Sequence, residues 1–191
     1  MATIKGTRTE KNLLAAFAGE SQARNRYTYA ASVARKEGLH QIAELLLETA
    51  ENEKEHAKRF FKFLEGGMVE ITASYPAGVI GTTAENLAAA AAGEHEEWTD
   101  LYPSFAQVAK EEGFGEIAAV FTVIARVEKE HEARFRQLLE HLQARKTFVN
   151  DQPTRWKCRN CGYVHEGPEA PAKCPACLHP QEYFERKAEN Y

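Results

Sequence analysis

Through the first 146 residues, apolar side chains return at spacings of three and four, the period of a helix that buries one face. Thr7-Arg8-Thr9-Glu10 has the spacing of a capping box between Thr7 and Glu10, and helical periodicity follows as far as Gly38. A second helix is predicted from about Leu39 to Leu64, closed by Gly66-Gly67. The stretch GGMVEITASYPAGVIG at 66–81 then breaks the period with glycines and Pro76, and is too long for a hairpin turn between antiparallel helices. It reads as a crossover. Thr82-Thr83-Ala84-Glu85 supplies a second capping box, a third helix runs to about Glu112, and a fourth from Phe114 to about Lys146. Four long helices with one long middle connection predict an all-α bundle of the one-crossover kind.

After Val149 the period disappears and Pro, Gly, aromatic and Cys residues take over. The boundary is placed at 149/150, giving a main domain of residues 1–149 and a mini-domain of 150–191. The second piece is too short to build its own core and needs a metal staple.

Within the bundle the chain repeats itself. Ala-Gly-Glu occurs at 18–20 and 92–94, Lys-Glu-Gly at 36–38 answers Glu-Glu-Gly at 111–113, and Glu-Lys-Glu-His begins at 53 and again at 128. The offset is 74 residues between Glu20 and Glu94 but 75 from the glycines onward, so the third helix carries one inserted residue. It falls near Tyr102-Pro103, where a proline or a π-bulge re-aims side chains.

Charged residues stand on the buried stripes. In the fourth helix the stripe runs Ile117, Phe121, Ile124, Glu128, His131, Phe135, Leu138, Leu142, and in the second Ile42, Leu46, Thr49, Glu53, His56, Phe60, Phe63. The first helix contributes Leu13, Phe17, Glu20, Arg24 and Tyr27, and the third Leu87, Ala90, Glu94, Glu97 and Leu101. Five carboxylates and two imidazoles are thus expected in one core, with Arg24 the sole stripe cation. Buried carboxylates on that scale need compensation. Two metal ions provide it, since five negative charges fall between the four positive charges of a diferrous pair and the six of a diferric pair. Oxygen and imidazole donors suit iron or manganese, and Glu-x-x-His on each of two helices plus one Glu on each of two others is a di-metal carboxylate pattern. The halves differ where Ala23 in the first answers Glu97 in the second, so one metal's surroundings should differ from the other's.

All four cysteines lie in the mini-domain, as Cys158-x-x-Cys161 and Cys174-x-x-Cys177, a spacing that makes a tetrahedral four-thiolate site. Zinc and iron use the same ligands; beside a di-metal site that needs electrons, iron is preferred. The remaining histidines, His40, His95, His141, His165 and His179, fall off the ligand pattern and are assigned to surface or loops. A net charge of −4 with intermixed signs offers no basic face to nucleic acid. No apolar run approaches the ~18 residues of a membrane span, and a cytoplasmic setting is expected.

In combination, Glu20, Glu53-x-x-His56, Glu94-x-x-Glu97, Glu128-x-x-His131, CRNCGYVHEG and CPACLHP resemble the rubrerythrin family, over nearly the whole chain. The resemblance implies a ferritin-like four-helix bundle with a non-haem di-iron centre, followed by a rubredoxin-like domain with one iron on four cysteines. It implies that Glu53 and Glu128 bridge the irons, that Glu20 and Glu94 are terminal ligands, that His131 binds one iron permanently, and that the other exchanges Glu97 for His56 on reduction. Tyr27 and Tyr102 resemble the family's tyrosines near the irons, and a packed core aromatic with a satisfied hydroxyl accounts for them as well. The implied activity is reduction of hydrogen peroxide to water in oxidative-stress defence. Electrons come from NAD(P)H through a separate reductase or rubredoxin, in a head-to-tail homodimer or homotetramer. A ferroxidase or iron store of the ferritin-like class is the alternative, and a zinc-bearing redox sensor or binding protein a weaker one.

Overall fold

The computed structural model describes residues 3–189. Helix α1 (Arg8–Lys36) and helix α2 (His40–Phe61) pack against each other as an antiparallel pair. An extended crossover leads to α3 (Thr83–Glu96), a π-helical turn (Glu97–Leu101) and α4 (Tyr102–Glu111), which together pack on α5 (Gly115–Gln143). The predicted one-crossover bundle is the observed one. The third helix is not a continuous α-helix, however: the inserted residue is accommodated as the π-turn, and Pro103, which has no N–H to donate, sits in the first turn of α4 directly after it. Helix α2 stops three residues short of the expected Leu64, and α5 three short of Lys146, in last turns where carbonyls lack helical partners.

The helix ends explain part of the sequence repeat. At the first cap the Glu10 amide donates to Thr7 Oγ1 at 3.1 Å, but the Glu10 carboxylate accepts from Gly6 N–H (2.7 Å) and not from Thr7, so the box is only half closed; the box at Thr82/Glu85 is complete. The Glu-Gly sequences that end α1 and α4 turn through glycines in the left-handed region, Gly38 (φ 75°) and Gly113 (φ 86°). The glutamate before each glycine reaches the other half of the bundle. Glu112 accepts from the Arg8 and Thr9 amides and the Thr9 hydroxyl at the start of α1, and Glu37 accepts from the Thr83 amide at the start of α3. Each half therefore caps the leading helix of the other with a carboxylate, which the N-terminal dipole favours.

The core has two apolar compartments. One gathers Ala30, Leu39, Ile42, Leu46, Leu87 and Phe135, the other Leu13, Phe60, Tyr102, Ile117 and Phe121. Glu20, Glu53, Glu94 and Glu128 fall between the two, so a polar layer is sealed by hydrocarbon on both sides.

Beyond α5 the chain forms an antiparallel sheet of order β2-β1-β3 from β1 (Val149–Cys158), β2 (Val164–Glu169) and β3 (Phe184–Arg186). Trp156, Cys158, Cys174 and Phe184 are its small core, and Trp156 Nε1 donates to the Gly167 carbonyl at 3.0 Å. This unit rests on the end of α2. The His40 and Tyr183 rings stand 4.3 Å apart, the Arg186 guanidinium donates to the Lys146 carbonyl at 3.2 Å, and a Cβ on Gly38 would stand 2.6 Å from Glu182 Cγ. No helix among the described residues is long and apolar enough to cross a membrane.

Candidate metal centres

Four helices deliver the polar layer. Glu20 from α1, Glu53 from α2, Glu94 from α3 and Glu128 from α5 are each at most 1% exposed, and His131 is 3% exposed. Two groups of donor atoms form, each within 4.8 Å of one another: Glu20, Glu53, Glu128 and His56; and Glu53, Glu94, Glu128 and His131. Glu53 and Glu128 are common to both.

The spacing inside each group is that of ligands sharing a cation. His56 Nδ1 lies 2.9 Å from Glu53 Oε2 and 3.0 Å from Glu128 Oε1; His131 Nδ1 lies 3.0 Å from Glu53 Oε1 and 2.8 Å from Glu128 Oε2. Adjacent ligands on bonds of about 2.1 Å at right angles stand about 3.0 Å apart. Yet Glu20 Oε2 and Glu94 Oε2 are buried without a hydrogen-bond partner, and the close contacts of Glu53 Oε1, both Glu128 oxygens and His131 Nδ1 do not have hydrogen-bond geometry. Groups of that kind are costly unless something binds them. No Lys or Arg stands among the buried side chains of the described residues to do so. The donor set therefore fits two metal ions, each facing an Nδ1 atom and sharing two carboxylates.

Without a cation the layer is neutralised by protons. Burial leads the causes that push Glu20 well above the usual carboxylate range, with Glu128 and Glu53 adding to it, and burial brings Glu94 up to about 8. Burial opposes ionisation at His56 and His131, but their carboxylate contacts outweigh it and raise them to about 9 and about 12. Metal binding displaces these protons.

Two tyrosines tie the halves together crosswise. Tyr27 on α1 donates to Glu94 Oε1 on α3, and Tyr102 on α4 donates to Glu20 Oε1 on α1. Burial raises both phenols well above their ordinary value, with the neighbouring carboxylates adding to it, so they remain donors. The π-turn makes this symmetry possible. Glu20 and Glu94 are 74 residues apart whereas Tyr27 and Tyr102 are 75 apart, and the extra residue of the turn brings Tyr102 into the place that matches Tyr27.

Glu97, the first residue of the π-turn, belongs to neither four-residue group and borders a neighbouring cavity. Arg24 departs from its expected place. Its side chain is 40% exposed and pairs through Nη2 with Glu51 at 3.3 Å, while Ala23 takes the buried position on the stripe, leaving the carboxylate layer without the cation expected there. His95 also does more than a surface residue. Together with Trp98 Nε1 and Arg136 Nε, its Nδ1 meets the carboxylate of Glu132, a buried residue that the stripe reading passed over although it lies four after Glu128. This knot fastens the π-turn to α5.

The four cysteines meet as expected. Cys158 and Cys177 sulfurs are 3.7 Å apart and those of Cys161 and Cys174 3.6 Å, close to the ~3.8 Å of a tetrahedral site with ~2.3 Å bonds and far from the ~2.05 Å of a disulfide. The two turns match: Gly162 and Leu178 both lie in the left-handed region, and their amides donate to the Cys158 and Cys174 carbonyls at 2.8 and 2.9 Å. The His179 backbone amide leads the contacts that draw the Cys177 thiol down to about 6, favouring the thiolate a metal requires.

Residues 11–139 match the family model described as Rubrerythrin, and residues 156–185 that of the rubrerythrin rubredoxin-like domain. A protein named Rubrerythrin from Porphyromonas gingivalis is 66% identical over 189 residues, covering 99% of this chain and 94% of its own. One named Nigerythrin from Nitratidesulfovibrio vulgaris is 34% identical, covering 92% and 85%. A solved structure described as the fully reduced, all-ferrous state of nigerythrin superposes with a TM-score of 0.63 at 32% identity, over 97% of this chain and 92% of that one.

Proposed function

The chain belongs to the rubrerythrin family of di-iron proteins with a rubredoxin-like domain, and from that membership we propose that it is a peroxidase that reduces hydrogen peroxide to water. One observation carries the reading: a two-metal carboxylate-histidine cluster and a four-thiolate site occur on one chain, a reaction centre joined to its own one-electron supply.

In this assignment Glu53 and Glu128, the residues common to both donor groups, would be shared by the two irons; Glu20 and Glu94 would each hold one; His56 and His131 would each serve one; and Glu97 would be the alternative ligand on the His56 side. Cys158, Cys161, Cys174 and Cys177 hold the third iron. Residues 1–149 form the catalytic domain and 150–191 the electron-transfer domain. When bound and reduced, the iron pair supplies the two electrons that break the O–O bond; with two protons, peroxide leaves as two waters. The chain's own part is electrostatic and positional. The four buried carboxylates offset the metal charge, the Tyr27 and Tyr102 hydroxyls hold Glu94 and Glu20 in place, and the apolar compartments keep bulk water from the layer. Electrons enter from an NAD(P)H-dependent reductase or a rubredoxin, in the cytoplasm, within a head-to-tail homodimer or homotetramer.

The test is anaerobic. One equivalent of hydrogen peroxide added to the fully reduced protein should oxidise the di-iron site completely, and a supplied reductase should restore it at the expense of NAD(P)H. A reduced site left unoxidised by stoichiometric peroxide refutes the proposal.

A further inference from the structure

Beside the candidate di-iron layer lies a cavity of about 470 Å³. It is bounded by the face of α1 that carries Ala15, Gly19 and Arg26, by residues 71–76 of the crossover, and by the π-turn and α4. Glu97 and Tyr27 line it, so it borders the residue assigned as the exchangeable ligand. Its opposite part is walled by Phe105 and Val108 of α4, with Ile71 and Tyr75 of the crossover also lining it. The crossover is pinned in place there. Tyr75 donates its hydroxyl to the Ala15 carbonyl at 2.8 Å, and its ring stands 3.7 Å from where a Cβ on Gly19 would be. Glycine at 19 thus leaves open a space that a larger side chain would begin to fill.

Hydrogen peroxide does not require this room. It needs about twice the ~30 Å³ share of a water molecule, whereas 470 Å³ lies within the range of about 300–1,000 Å³ that holds organic ligands. One donor near the Glu97 side is uncommitted. Arg26 Nε is buried without a hydrogen-bond partner, and Arg26 Nη2 stands 3.5 Å from where a Cβ on Gly93 would be, one residue before Glu94.

We propose that this cavity admits organic hydroperoxides, with the hydrocarbon body against Ile71, Tyr75, Phe105 and Val108 and the hydroperoxide at the Glu97 and Tyr27 side. The inference rests on the peroxidase reading and extends its substrate class. The O–O bond breaks, the reduced iron pair supplies two electrons, and two protons are taken up; the alkoxy oxygen leaves as an alcohol and the distal oxygen as water. Arg26 is placed to donate to the departing alcohol oxygen.

The probe is cumene hydroperoxide, with its product alcohol as the non-reacting ligand. Wild-type protein is expected to turn over both cumene hydroperoxide and hydrogen peroxide, and the alcohol should bind calorimetrically to both metal-loaded and metal-free protein. Val108→Phe and, from the opposite wall, Ala15→Leu should each weaken alcohol binding and lower the ratio of kcat/KM for cumene hydroperoxide to that for hydrogen peroxide about tenfold or more. The two readings fail differently. Turnover of hydrogen peroxide without turnover of cumene hydroperoxide, or an unchanged ratio in both filled variants, overturns this inference alone. Absence of both turnovers refutes the peroxidase reading and the substrate assignment with it.

Discussion

Removing the Tyr102 hydroxyl tests whether the crosswise tyrosines serve the metal layer or only fill the core. Tyr102 is fully buried, and its ring packs against Phe60 and Phe121 with centroids 5.6 and 5.9 Å away, contacts that Phe retains. Tyr102→Phe therefore removes one donor and leaves both Glu20 oxygens without a partner. In the metal-free protein, burial favours the protonated form of Glu20, and a lost bond between neutral groups costs about 0.5–1.5 kcal/mol. In the metal-loaded protein Glu20 is a carboxylate, and the cost rises to about 1.5–3 kcal/mol. The difference, about 1 kcal/mol, should appear as roughly fivefold weaker metal binding in chelator competition. Urea unfolding with and without iron gives the two stability losses. Equal losses in the two forms, with unchanged metal affinity, would refute the reasoning and leave Tyr102 as a core aromatic with a satisfied hydroxyl. Tyr27→Phe should behave alike through Glu94, and because both carboxylates belong to one layer around Glu53 and Glu128, the double variant should depart from additivity by about 0.5 kcal/mol or more.

Other consequences follow from the ends and turns. Contacts led by the Thr9 hydroxyl draw Glu112 down to about 2, so its stabilisation is fully present above the unfolded carboxylate value of about 4.3 and is lost as pH falls toward 2. Glu112→Gln should be less stable than wild type in denaturant at pH 7, with the gap closing over that acid window; a pH-independent gap counts against the cap. Deleting Thr99 should convert the π-turn to α-helix and swing Tyr102 about 100° around the axis, costing iron at the di-metal site while circular dichroism stays helical. Full iron content in that deletion would show the insertion to be incidental. Cys174→Ser should cost the C-terminal unit its metal and its cooperative unfolding while the bundle keeps its own iron, since the buried residues around Trp156 form their own cluster, joined to one bundle compartment through the half-buried Phe148. Metal analysis and two-probe unfolding would reveal any concerted loss.

Much of this protein is legible from order and period alone. Helical periodicity depends only on residue spacing, so the placement of Glu20, Glu53, Glu94, Glu128 and His131 on buried stripes, the crossover at 66–81 and the twofold repeat could be read along the chain. The cysteine pairs were equally plain, because a tetrahedral site on two short turns is a local device. The tertiary structure decided what depends on the rotation of one helix against another. A spacing of three or four leaves the edge of a stripe unresolved, and packing turned Ala23 inward and Arg24 out to Glu51. Only helices in contact could show that each tyrosine serves the opposite half, that Nδ1 is the histidine atom facing the carboxylates, and that Glu37 and Glu112 cap helices across the bundle. The place of Glu97 outside both donor groups depends on a backbone register that the inserted residue announces but does not specify. An extra residue in a helix can be absorbed in more than one way, and packing against α5, through Glu132 and Trp98, selects the π-turn.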